Sequence, residues 1–134
     1  SEQIRELILE ITERELLTRR GIRTLSPKSP DYKGIYKGGI KERDSAYHQG
    51  IAWPWLLGHY AEAYLKIHPR HGLPHVKQLY ESFEPVMMEH GIGTISELYD
   101  GDPPYLPGGA PSQAWSVAEL LRMNYLLEKY SNIK

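Results

Sequence analysis

Gly93-Thr-Ile-Ser-Glu-Leu-Tyr-Asp-Gly-Asp-Pro-Pro-Tyr-Leu-Pro-Gly-Gly-Ala-Pro-Ser-Gln-Ala-Trp-Ser116 is the stretch that decides how the chain is read. Glycine and proline are so dense from Asp100 to Pro111 that neither helix nor strand is expected to run through, because proline lacks an N–H and glycine is entropically costly to order. Yet this connector carries chemistry. Glu97 lies between Ile95 and Leu98, an apolar setting that suits acid/base work, and Asp100 and Asp102 follow within five residues. With Tyr99, Tyr105 and Trp115 alongside, the acids fit a sugar site better than a metal or nucleotide site. Aromatic faces stack on sugars while carboxylates take up hydroxyls. The plain alternative is a solvated connector whose acids face water.

Outward from this loop, apolar residues recur with helical period. Ile4, Leu7, Ile8 and Ile11 mark one face of a helix over Ser1 to Leu17. Pro54 is placed to open a helix running to about His68, with Trp53, Leu56, Leu57, Tyr60, Ala61, Tyr64 and Leu65 as its apolar face. A third helix is expected from Leu73 to His90, split near Glu81 by Pro85. A fourth, from Ser112 or Gln113 to Tyr130, carries Ala114, Val117, Ala118, Leu121 and Tyr125 on a wide stripe expected to be well buried, and Trp115 is assigned to the core with Tyr125. Between the first two, Thr18 to His48 has no periodicity but holds Tyr32, Tyr36 and Tyr47. Structureless loops beyond roughly 12 to 15 residues are functional or disordered, and the tyrosines argue for function. No segment sustains β alternation. The expected fold is therefore all-α: about four main helices and two long functional loops, arranged as helical hairpins with the loops gathered at one end.

Composition excludes several classes. With 134 residues the chain is read as a single domain, 1–134; a net charge of −1, from 16 basic and 17 acidic residues, carries no basic patch for nucleic acid or an anionic membrane. There is no cysteine and no long apolar run, so thiolate ligands and a transmembrane helix are excluded, and a cytoplasmic location is expected. His68, His71 and His75 sit in a proline-bounded connector without a carboxylate, and are read as a solvated turn, with no metal and no cofactor expected. Ten tyrosines and three tryptophans against one phenylalanine favour wet aromatic surfaces.

Three segments together resemble the glycogen debranching enzymes, or amylo-α-1,6-glucosidases, in the C-terminal part of their glucosidase domain. They are Gly21-Ile-Arg-Thr-Leu-Ser-Pro27 with Tyr32 and Gly34, Arg43-Asp-Ser-Ala-Tyr-His-Gln-Gly50 with Trp53-Pro-Trp55, and Thr94-Ile-Ser-Glu-Leu-Tyr-Asp-Gly-Asp-Pro103 leading to Gln113-Ala-Trp-Ser-Val-Ala-Glu119. The resemblance implies part of an (α/α)6 toroid and hydrolysis of α-1,6-glucosidic branch points with inversion. It implies that Glu97 is the general base and that the general acid lies upstream, outside this chain, so the isolated chain is expected to be inactive. Asp44, Tyr47, His48, Gln49, Trp53, Tyr99, Asp100 and Asp102 are the expected substrate-binding residues. Loop or helix-end bracing stands as the alternative for Asp44, His48, Gln49, Asp100 and Asp102, and core packing for Trp53. The expected partners are an α-glucan such as glycogen or branched dextrin, and the upstream part of the same toroid or another copy of the chain. A non-catalytic glycan-binding or assembly module is the rival reading. Ile51-Ala52 and Leu106 to Pro111 depart from the family's pattern, which bears on substrate preference.

Overall fold

Pro54, whose ring presets a helical φ and whose missing N–H costs nothing at a helix start, precedes α3 (Trp55–Ile67). The computed structural model describes residues 1–133. Around α3 lie α1 (Glu2–Ile11), extended by a π-helical turn (Thr12–Leu16), and α2 (Ile40–Ala46). Next come α4 (Leu73–Glu81), a 3-10 turn (Pro85–Met88) and α5 (Ala114–Ser131). The third helix divides at Glu81 as Pro85 requires, and the Gln113 side chain caps α5 by accepting from Ala114 N at 3.0 Å. Helix α5 packs mainly on α3 and also on α4, while α1 packs on α3. Leu57, Ala61, Leu65, Val76, Phe83, Leu120 and Met123 fill the shared core. Gly58 lets α5 approach closely, and Arg122 joins the helices by donating to Glu62 at 2.7 Å and Glu119 at 2.8 Å.

The expectation of an all-α fold is corrected. A five-stranded antiparallel sheet runs in the order β1 (Leu17–Thr18), β2 (Gly21–Arg23), β3 (Ala52–Trp53), β4 (Leu98–Tyr99), β5 (Pro107–Gly108). Its register pairs Leu17 with Ile22, Ile22 with Trp53, Ala52 with Tyr99, and Tyr99 with Pro107. Strands of two or three residues are too short to show a period of two, so periodicity has nothing to detect. A strand does enter the Asp100–Pro111 segment, because β5 is an edge where proline's lack of an N–H is tolerated. Trp53, expected on a helix face, belongs instead to β3. The sheet joins both long loops through β2, β3 and β4, and Tyr36, Tyr47 and Trp55 pack on a second core of Ala46, Ile51, Trp53 and Leu98.

Two apolar stripes are uncovered. Ile4, Leu7, Ile8 and Ile11 of α1 are between 47% and 58% exposed, and Leu9 is the helix's buried residue. On α5 the expectation of burial is corrected: Leu121 and Tyr125 are exposed, and the inward face is Ser116, Leu120, Met123, Leu126 and Tyr130. Both helices carry apolar side chains on more than the face that this chain covers.

A polar cluster joins the π-helical turn to α3 and α4. Tyr60 donates its hydroxyl proton to Glu13, and its oxygen lies 2.8 Å from His75 Nε2. Since the phenol proton is committed to Glu13, the neutral Nε2–H tautomer of His75 completes the chain by donating to Tyr60. Burial lowers the His75 pKa below 6.5, with Glu13 opposing it. A histidine whose folded pKa is depressed binds fewer protons folded than unfolded. Its contribution is present at neutral pH and lost as pH falls through and below 6.5. Thermal unfolding is expected to shift to lower temperature between about pH 7 and pH 5.5, and His75→Gln to flatten that slope. An unchanged slope in the variant would assign the effect to other groups.

Candidate functional site

Glu97 enters the site from the residue before β4. Its N–H donates to Ala110 O at 2.9 Å, while Ala110 N donates to its Oε2 at 2.8 Å. The segment after β5 thus grips both the backbone and the carboxylate of Glu97. Gly109, at φ +70, makes the wrap possible, because a Cβ there would come within 2.9 Å of Glu97 Cβ and L side chains strain in this region. The other carboxylate oxygen, Oε1, accepts from the Tyr47 hydroxyl. Ser116 Oγ donates to Glu97 O at 3.0 Å, anchoring the residue to the start of α5. Glu97 is 8% exposed. Its immediate contacts are therefore polar donors; Ile95 and Leu98, its apolar sequence neighbours, belong to the two cores.

Tyr47 follows α2 and forms one wall of a cavity of about 210 Å³ that also includes Thr24, His48, Trp53, Trp55, Leu56 and Trp115. The His48 ring lies parallel to Trp53 at 5.7 Å between centroids, and Trp55 is stacked with Trp115 at 6.0 Å. Trp53 meets Tyr47 edge-on at 4.8 Å and Trp115 at 6.1 Å. Such a small, aromatic, open cavity suits a ring with apolar faces and polar edges. Glu97 does not line it directly; Tyr47 stands between the carboxylate and the tryptophans.

The remaining expected site residues separate by position. Asp44 lies on the exposed side of α2, and Gln49 is exposed, its backbone carbonyl accepting from Lys33 N at 2.6 Å. Asp100 is buried and accepts from Tyr36 N at 2.7 Å; burial foremost raises its pKa, against that hydrogen bond. Asp102 accepts from Tyr32 hydroxyl at 2.8 Å, and burial together with this bond pushes the Tyr32 pKa up to about 12. These two acids fasten the Tyr32–Tyr36 loop to the loop after β4. Tyr99 is 1% exposed and faces Phe83 at 6.3 Å in the main core.

Sequence reasoning does not place Thr24, Trp55 or Leu56 at the site, and it sets Trp115 beside the acids but gives its side chain to the core. Trp115 is 49% exposed rather than part of the core, with its ring across the cavity from Trp53. The available signal was its place in the first turn of α5, directly after the glycine- and proline-rich loop, where a large side chain reaches back over the loop rather than into the helix packing.

Compared with known proteins, residues 1–122 match the family described as amylo-alpha-1,6-glucosidase. The chain is 30% identical over 128 residues to the glycogen debranching enzyme of Saccharomyces cerevisiae, an alignment covering 78% of this chain. The chain spans only 8% of that relative's length.

Proposed function

The chain belongs to the amylo-alpha-1,6-glucosidase family, and from that premise we propose that it supplies the general base and one wall of the sugar cleft of an α-1,6-glucosidase acting on glycogen or a similar branched glucan. The observation that carries the reading is Glu97: a buried carboxylate oriented by two donors, beside a cavity walled by three tryptophans and a histidine. In an inverting hydrolase such a carboxylate activates water on one face of the sugar while an acid some 6.5–9.5 Å away protonates the leaving oxygen. Glu97 takes the first role. The acid comes from a part of the protein beyond this chain, which forms the C-terminal hairpins of a larger (α/α)6 toroid. The uncovered stripes on α1 and α5 support that arrangement, since contiguous apolar surface is normally covered. Asp44, His48, Gln49 and the tryptophans contact the glucan. Asp100 and Asp102 hold the loops that shape the cleft, and Tyr99 backs them from the core.

A second reading, glycan binding without turnover, draws on the aromatic cavity alone. The two separate by experiment. Glucose release from a branched α-1,6 dextrin is measured for the 134-residue chain and for a polypeptide extended by the toroid's other hairpins. Activity in the extended protein only supports the first reading; glucan binding with turnover in neither supports the second. Within the active protein, Trp115→Ala is expected to raise KM about tenfold, equivalent to about 1.4 kcal/mol, with kcat little changed. An unaltered KM would remove Trp115 from the cleft.

A further inference from the structure

We propose that Tyr47 is the positioning residue for Glu97, setting the carboxylate's orientation through its hydroxyl, which serves Glu97 and not the sugar. The inference rests on Glu97 acting as general base.

The last torsion of a glutamate is soft and roughly two-fold, so a single hydrogen bond leaves the carboxylate plane free to turn. Glu97 has two. Ala110 N holds Oε2 at 2.8 Å, and the Tyr47 hydroxyl holds Oε1. An ionised carboxylate has about four acceptor positions; these donors take one on each oxygen and leave one on each for water or a sugar hydroxyl. The Ala110 amide is fixed by the backbone, so Tyr47 is the adjustable half of the clamp.

Tyr47 is itself held at both ends. Its N–H donates to Arg43 O at 2.9 Å, and its carbonyl accepts from Trp53 Nε1 at 3.1 Å. Its ring packs edge-on against Trp53 and against His48, each at 4.8 Å. Burial and the Glu97 carboxylate both raise the Tyr47 pKa, which keeps the phenol protonated and donating. The ring is thus a wall of the cavity while the hydroxyl points away from it to the carboxylate. A sugar seated against Trp53 and His48 rests on the same ring that orients the base, so substrate placement and base orientation share one rigid part.

The roles differ in kinetics. Tyr47→Phe keeps the ring and deletes only the hydroxyl. In the toroid-completed protein it is expected to lower kcat about 10- to 100-fold, the scale of an ångström-sized misplacement of a reacting group, while KM stays within about twofold because the wall is intact. Raised KM at unchanged kcat would make Tyr47 a sugar contact and overturn the proposal. Glu97→Gln in parallel separates the two levels. If Glu97→Gln is silent and Tyr47→Phe has wild-type kcat, the positioning role fails and the base stands; if Glu97→Gln turns over normally, the base reading itself fails. A measurement independent of how Tyr47→Phe folds uses the 134-residue chain. The Tyr47 ring carbon bonded to the hydroxyl is expected to change its 13C shift in Glu97→Gln, as the hydroxyl exchanges a carboxylate for an amide partner. A shift unmoved by Glu97→Gln overturns the contact.

Discussion

Glu97→Gln in the toroid-completed protein is expected to lower kcat for glucose release about 10³-fold, in the middle of the 10²–10⁴ range of general acid–base catalysis and equivalent to about 4 kcal/mol of transition-state stabilisation. The argument rests on what the amide keeps and loses. Glutamine has the same length and shape, so Gly109 and the backbone pairing with Ala110 are undisturbed. Its one carbonyl oxygen can accept from Ala110 N, as Glu97 Oε2 does. Its NH2 then faces Tyr47, whose hydroxyl turns from donating to accepting. The hydrogen bonds are thus satisfied and the fold is retained, but the amide cannot take a proton from water. KM is expected to stay close to wild type, because the aromatic cavity is formed by other side chains. Normal turnover in Glu97→Gln would move the base elsewhere. A large rise in KM would make Glu97 a binding residue.

The helices that form the main core are legible in the sequence because each carries a physical marker. Pro54 opens α3, Pro85 ends the regular part of α4, and Gln113 caps α5. The sheet is not legible, because Ala52 pairs with Tyr99 across 47 residues and its strands are too short to alternate. Helix α2 is hidden for a similar reason: it is a seven-residue segment that buries only Ala46, and so has no apolar stripe. Periodicity shows that α1 is amphipathic but not what covers Ile4, Leu7, Ile8 and Ile11. The site divides in the same way. The acids and aromatics stand out as residue types in glycine- and proline-rich loops, yet their pairings are tertiary. Tyr47 reaches Glu97 from 50 positions away, Tyr32 reaches Asp102 from 70, and the backbone N–H of Tyr36 reaches Asp100 from 64. Which acid faces a sugar and which braces a loop is decided by those closures, and no local pattern encodes them.

The largest expected loss of stability comes from Phe83→Ala, at about 3–5 kcal/mol, a large part of the roughly 5–15 kcal/mol that keeps a domain of ordinary stability folded. Phe83 is the chain's single phenylalanine and is fully buried just after α4, where Pro85 forces the chain out of regular helix. Its ring packs edge-on to Tyr99 at 6.3 Å and lies under the Arg20 guanidinium at 5.8 Å. Arg20 is itself only 7% exposed and donates to Ser82 O at 2.6 Å. Removing the ring leaves a cavity between these groups and takes the cation–π partner from a guanidinium that burial already disfavours as a charge. The hairpin of β1 and β2, which carries Arg20, and strand β4, which carries Tyr99, lose their common support. Because Tyr99 is two residues from Glu97, collapse of β4 into the gap displaces the carboxylate as well. Urea unfolding of the chain is the measurement: the midpoint falls steeply for Phe83→Ala and less for Phe83→Leu, which refills much of the space. A loss below about 1 kcal/mol for alanine, outside the usual range for a buried aromatic, would mean that the helices alone hold the domain and that the sheet is not anchored through Phe83.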